Sequence, residues 1–233
     1  MITRIPYEAL HVSKHHWLES RFHFSFAEYY NPQNLNFGVL RVMNDDVIDP
    51  HSGFEMHPHR DMEIFTYVLE GELTHTDSMG YKETLYAGDV QYLSAGEGIY
   101  HSEKNESDSP LRLIQTWILP HTKGVKPNYG SYRYNKEQRH NQWEHLFGPE
   151  NSDARIVFHQ DANVYAMEQD EDILSTFALS NGRQAYLKVM QGSVLLNGTT
   201  LSFGDSAEVT NESILTMQAI EPAQVLLIEM AHI

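Results

Sequence analysis

The chain has 233 residues, enough for one large domain or two small ones; 41% are hydrophobic, 21% charged and 11% aromatic, the balance of a globular protein with a large core. Its 32 acidic and 16 basic residues give a formal net charge of -16, which argues against nonspecific binding to nucleic acid or to an anionic membrane. It has no cysteine, which excludes disulfides, thiolate metal sites, iron–sulfur clusters and cysteine nucleophiles.

The opening MITRIPYEALHVS has no apolar segment behind a basic one, and no apolar run approaches a membrane span, so a cytoplasmic protein is expected. Three Asn-X-Ser/Thr matches, at Asn105, Asn197 and Asn211, are then chance matches. Phe22, Phe24 and Phe26 alternate with polar residues, a strand period, until Asn31-Pro32 breaks it. Residues 37–43 predict the next strand, ending at Asn44-Asp45-Asp46. Residues 64–69 predict an apolar strand closed by Glu70-Gly71, and Leu73 and His75 lead into a turn at 77–80. Segment 120–148 is polar and lacks alternation, so it predicts a connection with one short helix over 136–147. Strands resume over 154–159 and 164–167. Short strands at this spacing predict an all-β fold of sandwich or barrel type.

A weak internal repeat predicts two related domains, an N-terminal one over 1–130 and a linker with a C-terminal one over 131–233. Val68-Leu69-Glu70-Gly71 resembles Val189-Met190-Gln191-Gly192, and Ala87-Gly88-Asp89-Val90 resembles Phe203-Gly204-Asp205-Ser206.

Two stretches carry the chemistry, His57-Pro58-His59 and His101-Ser102-Glu103. Residues i and i+2 of a strand point to one face, so each stretch can present two ligands into one space. Three imidazoles and a carboxylate suit a divalent transition metal and leave coordination positions open for water, substrate or oxygen. Glu63 and Asp61 share the parity of His57 and His59, and spacing alone leaves them open as the carboxylate. The second half of the chain has neither pair, so one metal per chain is expected.

Gly53-Phe54-Glu55-Met56-His57-Pro58-His59-Arg60-Asp61-Met62-Glu63 with Gly71 resembles the first cupin motif, and Gly88, Gly96, Gly98, His101 and Asn105 resemble the second. HPHRDMEIFTYVLEGELTHTDSMG followed by SAGEGIYHSE, with His23-Phe24-Ser25-Phe26 and Asn44-Asp45-Asp46, resembles the pirin family of bicupins, and within it the bacterial pirin-like quercetin 2,3-dioxygenases. The resemblance is specific over 17–120 and general beyond. It implies two cupin (jelly-roll) barrels, a metal held by His57, His59, His101 and Glu103, and a C-terminal cupin without ligands. It favours Glu103 over Glu63 as the carboxylate, and iron as Fe2+ among metals that include zinc, cobalt, nickel, copper and manganese. It implies cleavage of a flavonol such as quercetin with O2 and release of carbon monoxide, with Glu103 both ligand and acceptor of the 3-hydroxyl proton. Some pirins act as regulators that bind transcription factors, so the alternative is a metal-loaded interaction protein acting through protein contacts rather than on nucleic acid.

Other candidates carry less. His75 is expected to hydrogen-bond at its turn, and His11, His15 and His16 to sit on a solvated surface. Gln115 and Trp117 share parity, and either pocket lining or core packing fits them. Glu97 lies between glycines, in a loop.

Overall fold

The computed structural model of the chain describes residues 1–232 and is 59% strand and 3% helix, the all-β class expected. No helix in it is long and apolar enough to cross a membrane. It divides into two compact units, one formed by His11–Tyr134 with Phe158–Gln160, the other by Met1–Leu10, Asn135–Val157 and the chain from Asp161 onward.

The first unit, termed N-terminal here, has two antiparallel sheets. Seven strands run in the order Asn128–Tyr132, Val90–Ser94, Glu63–Glu70, Leu111–Ile118, Leu40–Ile48, Leu18–Phe22 and His11–His15. Four more run in the order Ser52–His59, Ile99–Asn105, Glu72–Asp77 and Lys82–Tyr86. The Glu63–Glu70 strand is paired on both sides and buries Ile64, Phe65, Thr66, Tyr67 and Val68 in a row, which is why it reads as a continuous apolar run. Among the unit's described apolar residues, one cluster gathers around Ile48, Val68, Leu73 and Leu113 and another around Ile64, Leu93 and Ile99.

The second, C-terminal unit is built on one nine-stranded sheet. Its two long strands, Arg183–Leu196 and Ile214–Ala231, pair antiparallel with register shifts near Val189, Gln191 and Ser193. Such bulges bend a long strand so that one strand serves two parts of a sheet. Ile2–Ile5 joins this unit by pairing with Ser206–Val209, so the first ten residues do not belong to the N-terminal unit, unlike the expected segment 1–130.

Several predicted elements differ from those observed. The strand at Phe22 ends there, and residues 23–26 turn, with His23 N–H donating to Met43 O and Phe26 exchanging backbone hydrogen bonds with Tyr29. The Leu40–Ile48 strand runs straight through Asn44-Asp45-Asp46 rather than ending there; their turn-like composition is overridden by pairing on both sides and by side-chain partners. The helix expected over 136–147 is one turn, Lys136–Arg139, followed by the strand Glu144–Gly148. The strand expected over 154–159 is reduced to Ile156–Val157.

The internal repeat is visible in atomic detail. Gly88 and Gly204 have φ of 89° and 80°, in the left-handed region that favours glycine, and a Cβ on either would strike a tyrosine ring, Tyr134 or Tyr7. Each glycine N–H donates to the matching valine, Gly88 to Val68 O at 2.8 Å and Gly204 to Val189 O at 3.0 Å. Each following aspartate is clasped alike. Asp89 accepts from the Tyr86 and Tyr134 N–H groups and from Arg133; Asp205 accepts from the Ser202 and Tyr7 N–H groups and from Arg4.

Candidate metal centre

His57 and His59 project from the Ser52–His59 strand into the N-terminal unit, while the intervening Pro58 is exposed. That strand pairs with Ile99–Asn105, which sets His101 opposite His57 and Glu103 opposite Phe54. The register slips by one residue between those two pairs, a bulge in the Ser52–His59 strand beside His57. The result brings three histidines together. Ring centroids lie 4.8 Å apart for His57 and His59, 4.5 Å for His57 and His101, and 4.9 Å for His59 and His101. One ring nitrogen from each falls within 4.8 Å of the other two.

The protonation of these rings fits cation binding. Burial pushes His59 down to about 3, helped by His101 and His57 and opposed by Glu103. Burial also pushes His101 down to about 3, helped by His57 and His75 and opposed by Asp77. Neutral imidazoles keep a lone pair for a metal. His57 Nδ1 lies 2.7 Å from the Glu55 carbonyl oxygen, a bond that fixes this ring and leaves Nε2 free. Both ring nitrogens of His101 are buried with no hydrogen-bond partner among the described residues. An orphaned imidazole 1% exposed is costly unless something coordinates it, so these residues fit a divalent transition metal.

Glu103 is 1% exposed and lines the same cavity as His57 and His59. Its Oε1 accepts from Gln91 Nε2 at 2.5 Å and Thr66 Oγ1 at 3.2 Å, and its Oε2 from Gln115 Nε2 at 2.6 Å. These donors fix the carboxylate plane and leave Oε2, which takes one donor against two on Oε1, able to accept further.

Glu63 is placed differently. Its oxygens take the Tyr92 hydroxyl, the Ser94 hydroxyl at 2.8 Å and the His159 N–H at 3.2 Å, and it does not line the cavity. Asp61, at positive φ, accepts from the Gly124 N–H instead. His75 is fully buried and bonds Asp77 at 3.0 Å, while Tyr129 stacks on it at 4.3 Å.

The cavity beside the histidines has a volume of about 290 Å³. Trp17, Phe22, Phe26, Phe54 and Trp117 wall it, and Trp117 stands edge-on to His59 with centroids 4.9 Å apart. Gln115, which reaches Glu103, also accepts from Trp117 Nε1 at 3.1 Å. His15, expected on a solvated surface, is exposed but sits on the cavity rim. Sequence reasoning missed Gln91, Thr66, Asn44 and Asp46. The available signal was a polar side chain at inward parity within a buried strand, as in Val90-Gln91-Tyr92.

Known proteins share this architecture. The Pirin family model matches residues 6–118, and the Quercetinase C-terminal cupin domain model matches residues 146–230. A pirin-like protein of Caulobacter vibrioides is 41% identical over 99% of this chain and 100% of its own length. A quercetin 2,3-dioxygenase of Escherichia coli strain K12 is 40% identical over 94% of each chain. The crystal structure of the bacterial pirin YhhW of Escherichia coli in complex with nickel(II) matches with a TM-score of 0.94 and 37% identity, covering 100% of both chains.

Proposed function

The chain belongs to the pirin family of two-cupin proteins, and from that premise we propose that it is a metal-dependent dioxygenase. Its substrate is a flavonol such as quercetin, cleaved with O2 so that one ring carbon leaves as carbon monoxide. The observation that carries this is the cluster of three imidazoles, His101 buried and His57 and His59 half-buried, beside an aromatic-walled cavity that His57 and His59 line.

His57, His59, His101 and Glu103 would hold the metal. When bound, a divalent ion supplies Lewis acidity toward an enolic hydroxyl and positions that the protein leaves open. Three neutral imidazoles and one carboxylate leave that ion a net charge of about +1, which favours an enolate over a neutral ligand. Iron follows from the family resemblance; the nickel complex of the related bacterial pirin supports a donor set that accepts more than one first-row metal.

The chain's own residues do the rest. Trp17, Phe54 and Trp117 offer flat apolar walls against which a planar flavonol ring system stacks and sheds water. Gln91 and Gln115 aim the Glu103 carboxylate. Glu103 accepts the 3-hydroxyl proton as the flavonolate forms, and its amide donors steady the charge left when it is ionised.

Purified protein loaded with iron and given quercetin in aerated buffer is expected to bleach the flavonol absorbance with stoichiometric oxygen uptake. Absence of bleaching with every first-row divalent metal overturns the assignment.

A further inference from the structure

The cavity has a second polar face that the metal centre does not use. Asn44 and Asp46 sit two residues apart on the Leu40–Ile48 strand, so both point to one face, and both line the cavity. They are 3% and 2% exposed. The Asn44 side-chain oxygen has no hydrogen-bond partner among the described residues. Asp46 accepts from the Ser20 hydroxyl, across the strand pair that sets Ser20 opposite Asp46. Asn44 lies opposite Gln115 on the Leu111–Ile118 strand, one strand from the side chain that aims Glu103.

The contrast with Asp45 tells what this face is for. Asp45 points the other way and is satisfied by Arg112, with Nε at 2.9 Å and Nη2 at 2.8 Å. Asn44 and Asp46 have no such cation, and neither lysine nor arginine lines the cavity. A buried carbonyl oxygen without a donor costs free energy that a ligand donor would recover. The missing partner is therefore a neutral hydroxyl rather than a carboxylate or phosphate, because an anion at this face would lie beside Asp46 with no lysine or arginine lining the cavity to offset it. Burial pushes the Asp46 carboxyl up to about 7, against the Ser20 hydrogen bond and with Asp45 and Glu103 adding to the rise. A carboxyl poised there can accept from a phenol or donate to it.

We propose that Asn44 and Asp46, backed by Ser20, form a specificity subsite that binds a phenolic hydroxyl of the substrate other than the one engaged at the histidines. The proposal rests on the flavonol assignment above. It makes this protein selective for polyhydroxylated flavonols over those bearing only the 3-hydroxyl and 4-carbonyl.

The test compares quercetin with 3-hydroxyflavone, which has that chelating pair and no other hydroxyl. Binding to the metal-loaded, full-length protein is read without oxygen, by quenching of the fluorescence that Trp17 and Trp117 contribute. The wild type is expected to bind quercetin about tenfold more tightly, since a site built to pair a hydroxyl rejects the analogue lacking it. In an Asn44→Ala/Asp46→Ala variant the ratio of dissociation constants should fall to within about twofold of one, and in Asp46→Asn to an intermediate value. The milder variant carries the test if the double one fails to bind one metal per chain. A wild-type ratio near one, a ratio unchanged in the variants, or no binding of either flavonol overturns the subsite. Oxygen uptake separates the two proposals. Flavonols consumed without preference remove the subsite and leave the dioxygenase, whereas selective binding of quercetin that is never consumed does the reverse.

Discussion

In the C-terminal unit, Met167, Leu187, Val189, Val194, Leu215, Met217 and Leu227 belong to one continuous buried cluster. In the N-terminal unit, Val68, the repeat partner of Val189, belongs to a smaller cluster around Leu73 and Leu113, and a second gathers at Ile64 and Leu93. Trp17 and Phe54 pack on the first and Trp117 on the second, and all three wall the cavity. The two units share the Gly-Asp turn and its clasp, and the N-terminal one holds the histidine cluster beside an aromatic-walled cavity. A fold of this kind is held by strand pairing and clasped turns, and its interior can then be filled for stability or opened for chemistry. Opening it leaves buried polar atoms such as the His101 ring nitrogens and the Asn44 side-chain oxygen without partners among the described residues, a cost tolerated where a metal or substrate supplies them.

The largest effect should come from the ligands. His101→Ala is expected to lower metal affinity by at least about 100-fold and to abolish flavonol cleavage, measured by metal analysis after dialysis and by oxygen uptake. Glu103→Ala should likewise lose metal, while Glu63→Ala keeps it and instead destabilises the fold around Tyr92 and Ser94. Full occupancy in Glu103→Ala with loss in Glu63→Ala would reverse the choice of carboxylate.

The packed unit should respond in the opposite sense. Leu187→Ala is expected to cost roughly 2–5 kcal/mol in denaturant unfolding while metal content stays near one per chain. Loss of metal with that substitution would show that the C-terminal interior does more than pack.

The shared clasp offers a matched pair. Asp89→Ala and Asp205→Ala each remove a buried acceptor of two backbone N–H groups and an arginine, and each should cost about 2–4 kcal/mol. Unequal costs measured by equilibrium unfolding would break the equivalence of the two turns.

The last effect is a pH dependence carried by one group in the cavity unit. Burial raises the Asp46 carboxyl to about 7 in the folded chain from its ordinary value of 3.8. Between those values the unfolded chain is ionised and the folded chain holds the proton. Asp46's contribution to the stability of the metal-free protein should therefore fall by at most about 4 kcal/mol as pH rises from about 4 to 7 and level off above, while the depressed His59 and His101 add a rise with pH over about 3 to 6.5. The stability gap between Asp46→Asn and the wild type should widen from about pH 4 to 7, leaving the variant higher-melting at pH 8.

Much of this was legible in the chain. Alternating apolar residues and glycine turns announced strands, and His57-Pro58-His59 with His101-Ser102-Glu103 announced a ligand set, because a period of two is a local property. Asn44-Asp45-Asp46 was illegible for the complementary reason. Three consecutive polar residues have the composition of a turn, and only their partners across the sheet, Ser20 and Arg112, reveal a strand. Gln115 and Trp117 were undecided between core and pocket, since parity gives a face and not what lies beyond it.

The sequence by itself determined the fold class, the repeat and the identity of three converging histidines, all carried by residue spacing along single strands. Only the tertiary structure decided that Glu103 shares their cavity while Glu63 bonds Tyr92 and Ser94, and that Asn44 and Asp46 face the same space. Those outcomes depend on strand register, on a one-residue bulge opposite His101 and Glu103, and on which sheet each strand joins. Such relations arise between segments distant in sequence, where no local pattern records them.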